Sequence, residues 1–176
     1  MYEIRGDGKK DLAEAIRWYE KAATAGHDKA QFNLGLMYQD GRGIAVDVAK
    51  AADWFQQAVL KGNVNAQISL ALLHEQGHGV PQDRRKAAKL IRMVARQGNA
   101  DAQNLLGYYY SEGSGVPKDR VRAYAWFSMA ADNGSNQAAE NRELMAKLLT
   151  PQERERARGL EAELTSPDIA RSTPDV

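Results

Sequence analysis

The 176 residues carry Lys+Arg 24 against Asp+Glu 23, three histidines, no cysteine and 43% hydrophobic residues. A formal charge of +1 provides no basic field for nucleic acid or an anionic bilayer. The missing cysteines exclude disulfides, thiol nucleophiles and thiolate-held zinc. No apolar run approaches the ~20 residues of a bilayer span, and no signal peptide is visible.

A beat of 36 residues organises the chain. Gly26, Gly62, Gly98 and Gly134 keep it, as do Asp11, Asp47, Asp83 and Asp119, and Gln31, Gln67 and Gln103. A fixed period of this size means one supersecondary unit stacked on copies of itself. Much of the apolar content is alanine, which predicts a thin core of closely packed helices.

In chain order, residues 1–26 read as the second helix of a partial repeat. Asp11 with Glu14 forms a capping-box pattern ahead of Trp18. Met1 and Tyr2 stand 36 before Met37 and Tyr38, so the chain reads as a piece of a longer protein whose preceding helix is missing. Residues 27–62, 63–98 and 99–134 are three full repeats. In the first of these, Ala30, Leu34, Met37 and Tyr38 mark one face of a helix over 28–40. Gly41 and Gly43 then turn the chain, and Asp47 takes an N-cap position. Ala51, Trp54, Phe55, Ala58 and Val59 mark the second helix, closed by Gly62. The later copies keep the plan with Ala66, Leu70, Ala71 and His74, then Ala102, Leu106, Gly107 and Tyr110. Their second helices are anchored by Leu90 and Trp126. Gly35 and Gly107 lie inside helices, where glycine costs about 1 kcal/mol against alanine. Close approach of a neighbouring helix is the expected compensation. Trp18, Trp54 and Trp126 are expected to fill the gaps between paired helices.

Residues 135–164 form a degenerate repeat plus a closing helix. Arg142 and Glu143 replace the leucine–glycine pair of the earlier copies. Thr150-Pro151-Gln152-Glu153 is a helix start with a capping box and proline at the first helical position. Beyond it, Ala157, Leu160 and Leu164 face inward, while the mixed-sign run over 153–158 faces solvent. Such a polar outer helix ends a stack. Residues 165–176 read as a disordered tail.

These residues resemble the Sel-one-like repeat, a relative of the tetratricopeptide repeat. The resemblance rests on Ala30, Leu34, Gly35, Tyr38, Gly41, Gly43, Asp47, Lys50, Ala51, Trp54, Ala58 and Gly62, with recurrences around Ala66 and Ala102. It covers roughly residues 1–150; Ala71, His74 and Leu90 depart from its pattern. It implies an all-α, right-handed α/α superhelical solenoid of stacked helix–turn–helix repeats, with a capping C-terminal helix and a concave face lined by the first helices. It also implies bacterial adaptors or scaffolds, often exported, and no catalytic residues, so no enzyme.

Two motifs carry competing chemistry. His74-Glu75-Gln76-Gly77-His78 spells the zinc-hydrolase string, which needs both histidines on one helical turn. Here His74 stands in the core register of Tyr38 and His78 in a turn register, with glycine between them. A metal site is therefore not expected. The Gly-x-Gly turns join two helices and lack the third glycine of a dinucleotide loop, so no nucleotide or other cofactor is implied.

The remaining candidate is a groove for a protein or peptide partner. Phe32, Leu36, Ile68, Leu72 and Tyr108 fall on the first-helix face opposite the core. Lys29, Gln39, Asp40, Asn65, Glu75, Gln76, Asp101, Asn104, Ser111 and Glu112 form its polar rim. The alternatives are the zinc hydrolase and a structural spacer within a larger protein. The incomplete N-terminal repeat also offers an apolar edge for self-association. The sequence assigns no compartment; bacterial periplasm and cytoplasm both fit, with export favoured by the resemblance.

Overall fold

The structure, a computed structural model, describes residues 8–165. The match at Met1 and Tyr2 and the tail from residue 166 onward lie outside them. All regular structure among the described residues is helical. The helices are α1 (Gly8–Thr24), α2 (Asp28–Asp40), α3 (Val48–Leu60), α4 (Val64–Gln76), α5 (Arg84–Ala95), α6 (Ala100–Glu112), α7 (Arg120–Asp132), α8 (Asn136–Ala146) and α9 (Pro151–Thr165). They fall into two compact units, Met1–Asp83 and Arg84–Val176. The expected start of α1 is corrected: the chain is already helical from the first described residue, Gly8, through Asp11, which is therefore not its cap.

The helices start and stop for local reasons. Asp47 Oδ1 accepts from the Lys50 amide at 3.0 Å and Asp119 Oδ1 from the Arg122 amide at 3.0 Å. Asn63 and Asn99 cap α4 and α6 in the same way. Each satisfies an amide that the first helical turn leaves unpaired. The first helices stop at left-handed glycines, Gly41, Gly77 and Gly113. The connecting turns close by one repeated bond: the amides of Asp47, Asp83 and Asp119 donate to the carbonyls of Tyr38, His74 and Tyr110.

In the first unit, Ala23, Ala30 and Leu34 form a buried nucleus, with Tyr19, Ala22, Tyr38 and Trp54 packed against it from α1, α2 and α3. Within the α2–α3 pair, fully buried Phe55 lies against Gly35. A Cβ on Gly35 would come within 2.5 Å of the Phe55 ring. In the second unit Phe127 stands the same way against Gly107, at 2.6 Å. The helical glycines thus let an aromatic side chain of the paired helix seat directly on the backbone. The expectation that tryptophan fills this gap is corrected: the residue after it does so. Trp126 is 1% exposed and Trp54 half-buried, but Trp18 is 63% exposed, with Lys21 Nζ 5.1 Å from its ring centroid.

Successive repeats lock through a second glycine contact. Gly79 has φ +72 and its Cβ would lie 2.7 Å from the Val48 backbone at the start of α3. Gly115 has φ +69 and its Cβ would overlap the carbonyl of Arg84 at the start of α5. Each turn therefore rests on the helix that begins 31 residues before it, and both glycine properties are required: left-handed backbone and no side chain.

Buried glutamines supply a polar lock with the same beat. Gln31 Nε2 donates to the Ala23 carbonyl and Gln103 Nε2 to the Ala95 carbonyl, each at 3.1 Å. The acceptors belong to the last turn of the preceding helix and also accept from the amides of Gly26 and Gly98, so each glutamine is a second donor. Gln103 Oε1 also accepts from Asn133 Nδ2 at 2.8 Å. We expect Gln103→Leu to cost about 0.5–1.5 kcal/mol in urea unfolding, the net worth of a hydrogen bond, because the Ala95 carbonyl keeps the Gly98 amide as donor. An unchanged midpoint would mean the bond contributes nothing net.

Helix α9 packs on α7 and buries Ala157 completely. Its capping box is fully formed. The Thr150 amide donates to Glu153 Oε2 at 2.8 Å, the Thr150 hydroxyl to the same oxygen at 3.0 Å, and the Glu153 amide donates to Thr150 Oγ1 at 3.2 Å. The Thr150 amide, then its hydroxyl, hold the Glu153 carboxyl below the usual carboxylate range. Since the folded pKa is the lower one, this contribution is complete above the unfolded pKa and is lost as pH falls through the folded value. Amide exchange in the first turn of α9, corrected for intrinsic rates, should therefore accelerate on acidification through that window relative to α7. Glu153→Gln should remove the pH dependence; a wild-type profile in the variant contradicts the assignment.

Candidate functional site

The first helices present one face to their paired second helix and another to solvent. In the first unit, α2 and α4 are tied at their N-terminal ends: Asn63 caps α4 and donates from Nδ2 to Asp28 Oδ2 at 2.9 Å. That bond is the main reason the Asp28 carboxyl titrates below its usual range. On the solvent side stand Phe32 and Leu36 from α2 and Ile68 and Leu72 from α4. All are partly exposed, Leu72 most at 39%. Phe32 does double duty, its ring centroid 5.7 Å from that of Phe55. Lys29 is exposed, and Gln39 and Glu75 are half-buried. Gln39 Oε1 is buried without a hydrogen-bond partner.

In the second unit the same register falls on α6 and α8. Tyr108 is 40% exposed; its ring meets Phe127 edge-on at 5.4 Å, and its hydroxyl donates to Asn141 Oδ1 at 3.1 Å. Asn141 Nδ2 donates in turn to Asn104 Oδ1 at 2.9 Å. Asn141 is buried, Asn104 half-buried, and Glu112 is exposed at the helix end, accepting from Ser111 Oγ. The expected groove residues thus divide between the units: Phe32, Leu36, Ile68 and Leu72 in the first, Asn104, Tyr108 and Glu112 in the second.

One residue of this face escapes the sequence reading. Leu144 stands 36 after Tyr108 on α8 and is 61% exposed. The register Leu36, Leu72, Tyr108, Leu144 is visible in the sequence, but Arg142 and Glu143 disguise the last copy. Asn141 stands three periods after Asn33, but Ser69 and Leu105 occupy the register between them and break the signal.

The zinc-hydrolase string does not form a ligand pair. Helix α4 ends at Gln76, and Gly77 at φ +69 turns the chain away before His78. His74 is buried with Nδ1 3.3 Å from the Pro81 carbonyl, and His78 is exposed in the turn. Among the described residues no three His, Cys, Asp or Glu side chains are grouped to hold a metal. In the second unit an open polar cleft of about 530 Å³ is lined by Tyr124, Ser128, Asp132, Arg142, Arg158 and Glu161. Burial first, then the charge of Asp132, raises the Glu161 pKa. Arg142 pairs with Asp132 at 3.4 Å and Arg158 with Glu155 at 3.1 Å. The cleft brings no nucleophile, base and orienting group together. Among the described residues no helix is long and apolar enough to cross a membrane.

Comparison with known proteins agrees with the repeat. The Sel1 repeat profile matches residues 1–27, 28–63, 64–99 and 100–135. No curated protein matches the chain. Among solved structures, c5321 of uropathogenic Escherichia coli, described as a protective antigen with an SLR fold, is 35% identical. It aligns over 93% of this chain and 37% of its own, with a TM-score of 0.75. A Sel1 repeat protein from Oxalobacter formigenes is 38% identical over 73% of this chain and 53% of its own, TM-score 0.67. Helicobacter pylori cysteine-rich protein B is 28% identical over 77% of this chain and 98% of its own, TM-score 0.58. The chain thus spans about a third to a half of the length of the first two.

Proposed function

Because the chain belongs to the Sel1-repeat family, whose members are typically protein-interaction scaffolds, we propose that it is a non-enzymatic scaffold. On this reading its first-helix faces bind a peptide or partner segment. The observation that carries the reading is the register Leu36, Leu72, Tyr108 and Leu144. At each copy's solvent-facing position the chain keeps a large apolar residue, and Leu72, Tyr108 and Leu144 remain well exposed. Apolar residues scattered singly on a surface need no explanation. A large apolar residue repeated at one structural position, flanked by half-buried polar groups, fits recognition of a partner chain.

Selection of dodecapeptides from a random library on the immobilised protein tests this. The expected result is peptides whose affinity falls at least tenfold with Phe32→Asp/Leu72→Asp, or with Leu144→Asp. Leu60→Asp, at a leucine more exposed than these (70%) but on the second helix α3, should leave affinity within twofold. Equal losses from Leu60→Asp and from the groove variants, with all proteins folded, contradict the proposal.

One observation favours self-association as a second reading: Trp18 presents a large exposed ring on α1. Under it, Trp18→Ala abolishes a dimer seen by light scattering at high concentration; a monomeric wild type removes it.

A further inference from the structure

We infer that the outer face of α5 is a further docking surface, shaped for an acidic helix of a partner protein. It lies on a second helix, apart from the first-helix groove, and does not depend on it. The carrying observation is positive charge confined to one helix. Residues 84–100 hold Arg84, Arg85, Lys86, Lys89, Arg92 and Arg96 and no acid, in a chain whose formal charge is +1. At about 3.6 residues per turn, Arg85, Lys89, Arg92 and Arg96 fall within an arc of about 60° and form a stripe about 16 Å long. The stripe is turned away from the buried Ala87, Leu90, Ile91 and Val94. Arg85 and Lys89 are exposed, and among the described residues neither they nor Arg96 pair with a carboxylate. The other two members are steadied on the surface. Arg92 Nη2 donates to the Tyr110 hydroxyl at 3.3 Å, and Arg96 is half-buried with its Nε out of solvent.

The fold does not ask for these charges. Like charges four residues apart destabilise a helix. Arg84, Arg85 and Lys86 also occupy the first turn, where the helix dipole disfavours cations. The same four register positions hold Ala49, Asp53, Gln56 and Leu60 in α3, and Val121, Ala125, Ser128 and Asp132 in α7. Both helices form without the stripe.

Its shape selects the class of partner. The matching α7 positions carry no cation, so the stripe stays one helix wide within its unit, and in sequence it is bounded by Asp83 and Asp101. A nucleic-acid duplex calls for cations spread over several elements. An anionic bilayer calls for a broad apolar face, whereas α5 exposes Met93, at 42%, and buries Leu90, Ile91 and Val94. A partner helix with Glu or Asp at i, i+4, i+7 and i+11 lays four carboxylates opposite the four cations, with an apolar neighbour against Met93.

The test measures binding of the full chain to a synthetic helix of about 20 residues with glutamates at i, i+4, i+7 and i+11, beside an isomer with the same glutamates scattered round the helix. The striped peptide should bind at least about fivefold tighter than the isomer. Arg85→Glu/Lys89→Glu should weaken it at least about tenfold, and a peptide with lysines in place of the glutamates should bind that variant better than wild type. Lys147→Glu/Arg156→Glu makes the same change in net charge at exposed cations elsewhere and should stay within about twofold. Leu72→Asp should also stay within about twofold, so this surface and the groove stand or fall separately. Because the stripe opposes the fold, Arg85→Glu/Lys89→Glu should melt no lower than wild type.

Equal binding of the two isomers overturns the inference. So does tighter binding of a DNA duplex, or of phosphatidylglycerol vesicles, that Arg85→Glu/Lys89→Glu abolishes; the stripe is then a polyanion or membrane patch. A lowered melting temperature of that variant overturns it as well, since the charges then serve the fold.

Discussion

Gly115→Ala is expected to lower the unfolding free energy by about 2–5 kcal/mol, although it adds a single methyl group to a surface turn. Two costs combine. At φ +69 an L-residue carries about 1–2 kcal/mol of left-handed strain. The new Cβ also lands on the Arg84 carbonyl, a backbone atom that moves only if α5 moves, and overpacking of this kind adds about 1–3 kcal/mol. Gly134→Ala separates the two. It stands at φ +93 with nothing within 4 Å of the added carbon, so it should lose only the strain, about 1–2 kcal/mol. Urea unfolding of both variants, with the wild type, measures the contact by difference. Stability in a stack is the sum of unit and nearest-neighbour terms, so the excess in Gly115→Ala is the interface term. Equal losses in the two variants would falsify the idea that this turn locks one repeat to the next.

Trp126→Ala is expected to cost about 3–5 kcal/mol, because the ring is 1% exposed and its removal leaves a large void in the second unit. The same substitution at Trp18 removes a ring that is 63% exposed, and should stay within about 0.5 kcal/mol. Trp126→Phe provides an internal control. The indole Nε1 is buried without an acceptor, so phenylalanine keeps most of the packing and deletes an unsatisfied donor; the loss should be well below that of alanine. Thermal or urea unfolding of the three variants ranks them. Similar losses for Trp18→Ala and Trp126→Ala would mean that equivalent register does not imply the environments described.

The repeat was legible because its beat is carried by residues whose physics is local. Asp47 and Asp119 cap, Gly41 and Gly113 take left-handed backbone, and Thr150 with Glu153 starts α9; each is decided within four residues of sequence. What the sequence hid depends on which side chain reaches across. The role of Phe55 and Phe127 was assigned to the neighbouring tryptophans, since both positions are large and aromatic and periodicity alone cannot say which one points at Gly35 or Gly107. The second glycine of each turn reads as a turn residue, and nothing local reveals that Gly79 rests on Val48. Gln31 and Gln103 announced themselves by spacing, but their acceptor is a carbonyl eight residues back in another helix. Asp11 was read as a cap because it copies the register of Asp47, while the backbone there is already helical. On the candidate face, the apolar register up to Tyr108 was readable; Leu144 was masked by Arg142 and Glu143, and the Tyr108–Asn141–Asn104 chain joins residues from two helices whose one register echo, Asn33 for Asn141, is interrupted by Ser69 and Leu105.

Methyl NMR with a selected dodecapeptide tests the central claim most directly, that the repeats stack through their glycines and leave the first-helix face free to bind. Leucine methyl resonances of Leu36 and Leu72 in the first unit, or of Leu144 in the second, should shift or broaden on titration, while Leu60 on α3 and Leu90 on α5 stay unchanged. Perturbation centred on Leu60, with Leu72 and Leu144 silent, would place the ligand on the second helices and contradict the account.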